Sequence, residues 1–562
     1  MIGESRKGWI ATRTWMVLLI ALIIWLNLPW TPTFKALESD SGVYAYIGSA
    51  ISRGQVLYRD VWEQKPPIGL YLNALAISIL GQNPWAIWWL NTIWIIISAE
   101  LFFLLAKKMF GLISGVISSA IFAVAVMVPS IFQGGNLMEI YGLLPQVLAI
   151  WVTYAFFRTG RNRWVVLAGF IACISFLTKQ TTISLSVASL LAIGAFSLLQ
   201  RETRSLLPRV IRFAVGLFIP FTLTILYWNY VDALNQYLAG ILFYSFSYVN
   251  VGAPFLWSIK NTFINVFPKM LISRLYYIAT AAFFVFLLEN IKWFWQQVSP
   301  RRQGNLPKIV MIDPTEATML AVFIALPLEL VLTSLGGRNL GHYFISLIPA
   351  TVTIIGYAFN KAIVFLRNRQ KGYRSLHTWA GIISIFIGLF SLFWLAAALP
   401  SEVPTRAELQ DFSNIYSGKY EINEIHKYIL TNTNQDDSVL VWHIALYNNF
   451  ITGRKPPQRV VFPGELFIPN GGQKSGLTEF IDEVEGNPPK LIIVQKVSSI
   501  GLPFVNVPVE DICPDGACLP EMASAMKSPE TVSELKILRE FFLNNYIFDK
   551  QIYDWLIYKR LE

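Results

Sequence analysis

The chain has 562 residues, of which 54% are hydrophobic and only 14% are charged. Soluble globular proteins carry roughly a quarter charged residues, so this composition excludes an ordinary soluble protein and predicts a polytopic membrane protein. Three cysteines and four histidines exclude a disulfide-rich scaffold and a zinc framework. The net charge of +10 does not indicate nucleic-acid binding, because the basic residues gather in short clusters between apolar segments.

Eleven apolar segments approach the length of about 20 residues that a membrane-spanning helix needs. We predict spans near residues 14–34, 84–106, 111–130, 138–157, 164–178, 181–199, 210–230, 271–291, 316–335, 343–366 and 378–399. A cleaved signal peptide is the alternative for the first segment. The segment is too long for a signal sequence and no small-residue cleavage site follows it, so we expect a retained helix.

The basic clusters predict the direction of these spans. With the N-terminus in the cytoplasm, every predicted inner segment carries lysine or arginine, for example Lys107-Lys108 and Arg201–Arg212. This is the pattern of the positive-inside rule. We therefore predict a multi-pass protein of the plasma (inner) membrane, with a transmembrane domain over residues 1–400 and residues 401–562 outside the cytoplasm.

Residues 401–562 change in character and predict a small extracytoplasmic α/β domain. Short apolar runs at Ser438–Trp442 and Leu491–Val494 are typical of buried strands, and the stretches 420–430 and 532–544 are helix-like. The predicted fold class is therefore an all-α polytopic membrane protein with about eleven spans and a C-terminal α/β domain.

Two of the three cysteines lie in this tail. Cys513 and Cys518 flank the turn sequence Pro-Asp-Gly-Ala. In an oxidising outer compartment we expect a disulfide across this turn, with two free thiols as the alternative. Cys173 lies within a predicted span, where a small buried apolar residue is expected.

Three outer segments other than the tail carry polar residues. The first is the loop of residues 35–83, where Val43, Ile47, Ala50 and Ile51 recur at helical spacing, as in an amphipathic helix at the membrane interface. The second is residues 231–268, which predict another interfacial excursion and hold Tyr237, Tyr244, Tyr248 and Trp257. The third is the short turn Gly336–Tyr343.

Asp40 stands immediately before the predicted helix of the first loop. One interpretation is a helix N-cap, a position that aspartate fills well. The other is a general base that faces a cavity at membrane level and removes a proton from an acceptor hydroxyl. The two are compatible, since a capping carboxylate keeps one oxygen available.

Glu63 and Lys65 lie in the sequence Trp62-Glu-Gln-Lys-Pro-Pro67. The two prolines stiffen the backbone and restrict the residue before them to extended geometry. A lysine fixed in this way suits a lipid phosphate or pyrophosphate. The alternative is an interfacial lysine whose ammonium simply reaches water.

Four further ionisable residues fall on predicted outer turns. Glu139 lies at the mouth of a span, where ionisable groups are costly and tend to be functional. Lys179 and Arg338 run against the charge bias of the outer turns, and the imidazole of His342 can donate to a phosphate oxygen. Together with Lys65 these cations oppose Asp40 and Glu139 on one side of the membrane, which predicts a common pocket.

The motifs also resemble a known family. Asp40…Tyr44…Gly54…Tyr58-Arg-Asp60…Lys65-Pro-Pro67…Tyr71-Leu-Asn73, with Glu139, Leu177-Thr-Lys179 and Gly341-His-Tyr-Phe…Pro349, resemble the GT-C superfamily of membrane glycosyltransferases. The similarity is greatest to bacterial relatives of dolichyl-phosphate-mannose protein mannosyltransferases and of lipid A aminoarabinose transferase. Many relatives have Asp-Glu where this chain has Asp40-Ser41, and Glu38 is a candidate substitute for that second carboxylate.

This resemblance implies a GT-C fold with eleven to thirteen spans and a sugar donor carried on a polyprenyl phosphate. It implies transfer to an acceptor hydroxyl outside the cytoplasm, usually with inversion. Asp40 would be the base or acceptor-binding acid, Glu139 the second acid, and Lys65 a ligand of the donor phosphate. We expect Lys179, Arg338 and His342 to assist at the phosphate, and Glu63, Tyr44 and Tyr343 to support the site.

The expected partners are a polyprenyl-phosphate-linked sugar, a lipid, glycan or protein acceptor, and the lipid bilayer; nucleic acid is not expected. Asp40 and Glu139 are able to share a divalent ion such as Mg²⁺ or Mn²⁺, but no cofactor is required by the motifs. A transporter or flippase of lipid-linked sugars is the rival prediction. It implies charges buried in mid-span and broken helices in matching halves, whereas the polar residues here gather at one face.

Overall fold

The structure is a computed structural model. It describes residues 6–561 except 38, 201, 245–253, 299–312, 368–374, 400–419, 421, 443–444, 462, 468–475 and 496–519. Glu38, Tyr248 and the predicted Cys513–Cys518 disulfide lie outside the described residues. The predicted domain boundary near residue 400 also falls outside them and stays a prediction.

Sixteen helices are described before residue 400. They are α1 (Arg6–Asn27), α2 (Ser39–Ser52), α3 (Pro67–Leu80), α4 (Pro84–Phe110), α5 (Leu112–Val126), α6 (Pro129–Phe132), α7 (Met138–Thr159), α8 (Arg163–Thr178), α9 (Ser184–Leu199), α10 (Thr203–Tyr230), α11 (Leu234–Leu238), α12 (Phe255–Asn261), α13 (Ser273–Val298), α14 (Pro314–Ser334), α15 (Ile348–Arg367) and α16 (Ser375–Ala398). Short 3₁₀ turns at Gln180–Ile183 and Gly341–Leu347 precede α9 and α15.

The predicted multi-pass membrane class is confirmed by these helices. In the described part of the chain, eight helical segments are long and apolar enough to cross a bilayer, and a ninth is formed if Phe255–Lys269 and Ser273–Asn290, bent by 116°, count as one span. The shorter apolar helices are α3, α5 and α8. Each of the eleven predicted spans overlaps a helix, although two of those helices, α5 and α8, have only 15 and 16 residues.

The first loop folds differently from the prediction. Its amphipathic helix exists as α2, but Val43, Ile47 and Ala50 are at most 1% exposed and belong to a core shared with α3 and the C-terminal domain. The apolar face therefore packs against protein and not against lipid. The reason is α3, a helix that the sequence analysis missed, which packs along α2.

The predicted α/β character of the tail is confirmed. Its described helices are α17 (Glu424–Asn432), α18 (Tyr447–Thr452), α19 (Gly476–Gly486), α20 (Pro520–Ala525) and α21 (Pro529–Asn545). The strands β1 (Val439–Trp442), β2 (Leu491–Gln495), β3 (Tyr546–Ile552) and β4 (Trp555–Arg560) form one sheet in the order β1-β2-β4-β3. β1 and β2 are parallel, and the other two pairs are antiparallel.

The tail is fastened directly to the first loop. The Trp62 amide donates to the carbonyl of Arg459 at 2.9 Å, and the Arg459 guanidinium donates to the carbonyl of Tyr58 at 3.2 Å. The Gln82 side chain donates to the carbonyl of Phe450 at 2.7 Å. Because buried backbone groups need such partners, the loop and the domain complete each other's hydrogen bonding.

Candidate functional site

Asp40 lies in the first turn of α2, one residue after the helix begins at Ser39. Asp40 is therefore the second residue of the helix and not its N-cap, and its carboxylate lies where the helix dipole favours negative charge. Its side chain is 24% exposed. The buried Tyr44 donates to Asp40 Oδ2 across 3.4 Å. Burial, with the charge of Asp40, raises the pKa of the Tyr44 hydroxyl well above its ordinary value, so this hydroxyl stays protonated.

Glu139 and Lys179 form a buried ion pair. Glu139 is in the first turn of α7 and Lys179 follows the last residue of α8, and the Lys179 ammonium donates to Glu139 Oε1. The same ammonium lies 4.1 Å above the ring of Tyr343, a cation–π contact. Lysines almost never lie so deep without a partner, so Glu139 and Tyr343 together account for its position.

His342 connects this ion pair to Asp40. Its Nε2 atom lies 3.8 Å from Asp40 Oδ2 and 3.9 Å from Glu139 Oε1, while Nδ1 is 3.0 Å from Gln133 Oε1. The contact between Nδ1 and the Gln133 side chain holds the imidazole ring in one orientation. Asp40, Glu139, Lys179 and His342 are called the site cluster below.

An unusual loop positions Glu139. Four consecutive residues from Gln133 to Asn136 have positive φ angles of 49°, 87°, 82° and 53°, and the two central ones are the glycines that tolerate this conformation. The buried Asn136 donates to the carbonyl of Ser41 at 2.8 Å and accepts from Tyr141. Asn136 therefore ties the start of α2, next to Asp40, to the first turn of α7, next to Glu139.

A second glycine brings His342 into place. A Cβ atom at Gly341 would collide with the carbonyl oxygen of Ser130 in α6. The close approach of the 3₁₀ turn Gly341–Leu347 to α6 thus depends on the missing side chain. This turn presents His342 and Tyr343 to the site cluster.

Lys65 and Glu63 of the first loop lie near the site cluster. The charges of both Lys65 and Asp40 act on the buried Glu63 carboxyl, and Lys65 also acts on Lys179. Lys65 and Asp40 are therefore both close enough to Glu63 for their charges to act on it. The Lys65 backbone is held by Tyr58, whose hydroxyl donates to its carbonyl at 2.8 Å and whose ring packs against Trp228 and Tyr237.

Arg338 is half-buried four residues before His342, outside the contacts that define the site cluster. Sequence reasoning missed a different residue, Glu329 of α14. This buried carboxylate accepts from Gln146 at 3.1 Å and from Ser184, and its charge acts on Lys179. An isolated glutamate in an apolar segment was the available signal, since intramembrane carboxylates are rarely without a function.

The predicted divalent-ion site at Asp40 and Glu139 stays a prediction. A Ca²⁺, Mg²⁺ or Mn²⁺ site needs several oxygen ligands around the ion, whereas the Glu139 carboxylate already holds the Lys179 ammonium. In the described part of the chain, no group of three or more histidine, cysteine or acidic side chains is arranged to hold a metal. No step below depends on a metal ion.

The helical part also contains an apolar cavity of about 260 Å³. It lies between α13 and α14 and is lined mainly by aromatic and aliphatic side chains, among them Phe267, Tyr276, Phe323, Leu330 and Leu347. Leu347 ends the same 3₁₀ turn that carries His342. The cavity and the site cluster are thus joined by one short element.

The fold and the site cluster together define the class of protein. It is a membrane protein in which acidic and basic side chains gather at one end of the helices. Residues 64–228 match the family described as dolichyl-phosphate-mannose-protein mannosyltransferase. This segment contains Lys65, Glu139 and Lys179. The predicted resemblance to membrane glycosyltransferases is thereby confirmed. No curated protein matches the chain in sequence.

Solved structures to which the chain is similar include two of ArnT from Cupriavidus metallidurans. The form bound to undecaprenyl phosphate is 14% identical, with a TM-score of 0.47 and 99% of each chain covered. The apo form is 14% identical, with a TM-score of 0.47 and 98% of each chain covered. The oligosaccharyltransferase of Archaeoglobus fulgidus, in complex with zinc and sulfate, is 14% identical with a TM-score of 0.45, and the match covers 86% of this chain and 68% of that one.

Proposed function

We propose that the protein transfers a sugar from a polyprenyl phosphate to an acceptor hydroxyl at the outer face of the plasma membrane. One observation carries the proposal: Asp40, Glu139, Lys179 and His342 come from four separate segments and meet within contact distance. Assembling charged groups in a largely buried place costs free energy, and a site for a charged substrate accounts for that cost. The match of residues 64–228 to the mannosyltransferase family supports the same reaction class.

Asp40 is the general base in this proposal. Asp40 is the more exposed of the two acids in the site cluster, since 24% of its side chain is exposed against 3% for Glu139. Its described contacts include no lysine. An acceptor hydroxyl bound to Asp40 attacks the anomeric carbon and gives its proton to the carboxylate. The new bond joins the acceptor oxygen to the anomeric carbon, and the bond from that carbon to the phosphate oxygen breaks.

The electron pair of the broken bond leaves with the lipid phosphate. Lys65, His342 and Arg338 are proposed to stabilise the charge that develops there, as fixed cations and donors do at a leaving phosphate. Glu139 orients Lys179 and His342, so its role is positioning. Because one carboxylate accepts the proton and the cations hold the leaving group, attack from the opposite side inverts the anomeric carbon without a covalent intermediate.

The apolar cavity beside the 3₁₀ turn suits the lipid chain of the donor. A polyprenyl chain is branched and wholly apolar, and the cavity walls are aromatic and aliphatic. The 3₁₀ turn that carries His342 also supplies Leu347 to the wall of this cavity. Holding donor and acceptor in one place accounts for much of the rate enhancement in such a reaction.

The test is a transfer assay in liposomes with radiolabelled polyprenyl-phosphate-mannose and a mixture of lipid, glycan and peptide acceptors. The expected result is release of polyprenyl phosphate and labelled acceptor, abolished by Asp40→Asn. A flippase would instead carry the label across the bilayer without cleavage. If the labelled donor crosses the bilayer intact and no polyprenyl phosphate is released, the proposal is overturned in favour of transport.

A further inference from the structure

The C-terminal domain places a buried carboxyl group against the Lys65 loop. Glu465 lies in a 3₁₀ turn, Pro463–Phe467, of that domain and is only 3% exposed. Among the described residues neither of its oxygens makes a hydrogen bond of full geometry. A charged carboxyl group buried without such partners is costly, and no described residue of its own domain hydrogen-bonds to it.

The surroundings of Glu465 belong to the first loop. The strongest charges on its carboxyl group are those of Glu63 and Lys65, and it lies beside the Glu63 side chain and the backbone amide of Gln64. The adjoining segment follows the same loop, through the Trp62 amide bound to the Arg459 carbonyl and a bridge between Trp62 and Val460. Through these contacts the segment of the C-terminal domain that leads to Glu465 is fastened to the first loop.

Two buried carboxylates that touch do not both ionise, because the repulsion between them favours one shared proton. The charge of Lys65 and the backbone at Gln64 and Lys65 act to lower the pKa of Glu63, which favours the negative charge on that carboxyl group. Burial and the neighbouring Glu63 raise the pKa of Glu465 well above its ordinary value. Burial raises the pKa of Glu63 as well, and both shifts favour a proton held by the pair.

We propose that Glu465 is a positioning residue for Lys65, with its protonated carboxyl group donating a hydrogen bond to the Glu63 carboxylate and the pair holding the Lys-Pro-Pro loop toward the donor phosphate. This inference rests on the proposed function. The C-terminal domain then completes the site, and it is not an independent appendage. Glu465 need not touch the donor.

The other charged groups near this pair do not alter the sign of the effect. Asp40 acts on Glu63 from α2. On the C-terminal domain, Glu479 and Glu483 of α19 pair with Arg459, and Asp482 and Glu485 are exposed. Loss of the proton at high pH therefore adds one negative charge beside Lys65, and the donor phosphate should bind more weakly as pH rises.

The experiment compares the wild-type chain with Glu465→Gln, whose amide mimics the protonated acid and cannot titrate. Binding of polyprenyl-phosphate-mannose, a phosphodiester without a titration of its own in this range, is measured from pH 6 to pH 9 in detergent. We expect the wild-type affinity for the donor to fall about tenfold toward alkaline pH. A tenfold change in affinity corresponds to a shift of about one pKa unit between the free and the donor-bound protein. Glu465→Gln should match the wild-type chain at pH 6 and stay constant. The control Glu485→Gln, on an exposed residue of the same domain, should follow the wild-type profile.

A second readout does not depend on the donor. The infrared difference between wild-type protein and Glu465→Gln at neutral pH should contain the carbonyl band of a protonated carboxyl group. Absence of that band, or the same alkaline loss of affinity in Glu465→Gln as in the wild type, overturns the role of Glu465 even if transfer is normal. Failure of the wild-type chain to bind the donor at any pH would overturn the proposed function as well.

Discussion

Two groups of charges, one largely buried and one half-buried, lie at opposite ends of the same helices, and they differ in how fully their carboxylates are hydrogen-bonded. The site cluster lies where α14 ends and the turn before α15 begins. The distal cluster, Glu289, Glu316 and Lys361, lies near the start of α14 and the end of α15. Lys361 is 2.7 Å from Glu316 and 3.5 Å from Glu289.

In the distal cluster, Glu316 completes its hydrogen bonds with neighbouring side chains. Both oxygens of Glu316 are occupied, one by Lys361 and the other by Tyr357 at 2.9 Å and Asn290 at 3.0 Å. Asp40 differs. Among the described side chains, Tyr44 alone donates a hydrogen bond to its carboxylate, and that bond is long. Charges that satisfy one another fasten helices together, whereas a carboxylate with spare accepting capacity is available for a substrate.

The largest expected effect is that of Asp40→Asn. Loss of a general base lowers the rate of transfer by about 10²–10⁴-fold, while donor binding stays within about twofold because Asn fills the same space. Initial rates and equilibrium binding with polyprenyl-phosphate-mannose measure the two effects. Glu289→Gln removes an acid from the distal cluster and is the matched control, expected to leave transfer unchanged. Equal losses in the two variants would erase the distinction between the clusters.

Lys179→Met should damage both folding and transfer. It leaves Glu139 buried without its cation, and breaking a buried pair costs about 3–5 kcal/mol. Thermal unfolding in detergent measures the loss. The double variant Glu139→Gln/Lys179→Met should unfold nearer the wild-type temperature yet remain inactive. Recovery of transfer in the double variant would remove this ion pair from the site.

Gly341→Ala tests whether the close approach of the turn to α6 matters. The added methyl group collides with the Ser130 carbonyl and moves His342, so transfer should fall by about tenfold, as misplacement of catalytic groups by a fraction of an ångström does. Gly486→Ala is the control, since a Cβ there meets nothing within 4 Å. Comparable activity in both variants would show that the placement of His342 is unimportant.

Lys361→Met has the smallest expected effect on function. It should lower the free energy of unfolding by about 1–3 kcal/mol, because it leaves a partly exposed carboxylate pair without its cation. Transfer by the folded fraction should be unchanged. A selective loss of transfer at full stability would assign the distal cluster a role in the reaction.

The helices were predictable because their lengths are set by the bilayer and their ends carry charge. All eleven predicted spans overlap helices, and the strands at Val439 and Leu491 were visible as short apolar runs. The hairpin of β3 and β4 was missed because its first strand contains charged and polar residues, such as Asp549 and Lys550, and is exposed over most of its length. Helix α3 was missed because its 14 residues are too few for a span.

The site was predictable only as a list of charged outer residues. Their arrangement in space depends on the directions of the side chains and on contacts between distant parts of the chain. Nothing in the local sequence indicates that Asn136 reaches Ser41, or that Gln133 holds His342, because these contacts join residues 95 and 209 positions apart. Glu465 was equally hidden, since a glutamate in a polar tail is ordinarily solvated.

The most direct test of the account is an experimental structure of the protein with a polyprenyl phosphate bound. The account predicts the phosphate beside Lys65 and His342, its chain in the cavity between α13 and α14, and Asp40 facing the vacant sugar position. A phosphate bound at the distal cluster, or anywhere that leaves Asp40 and Lys65 without contact to the ligand, would contradict it.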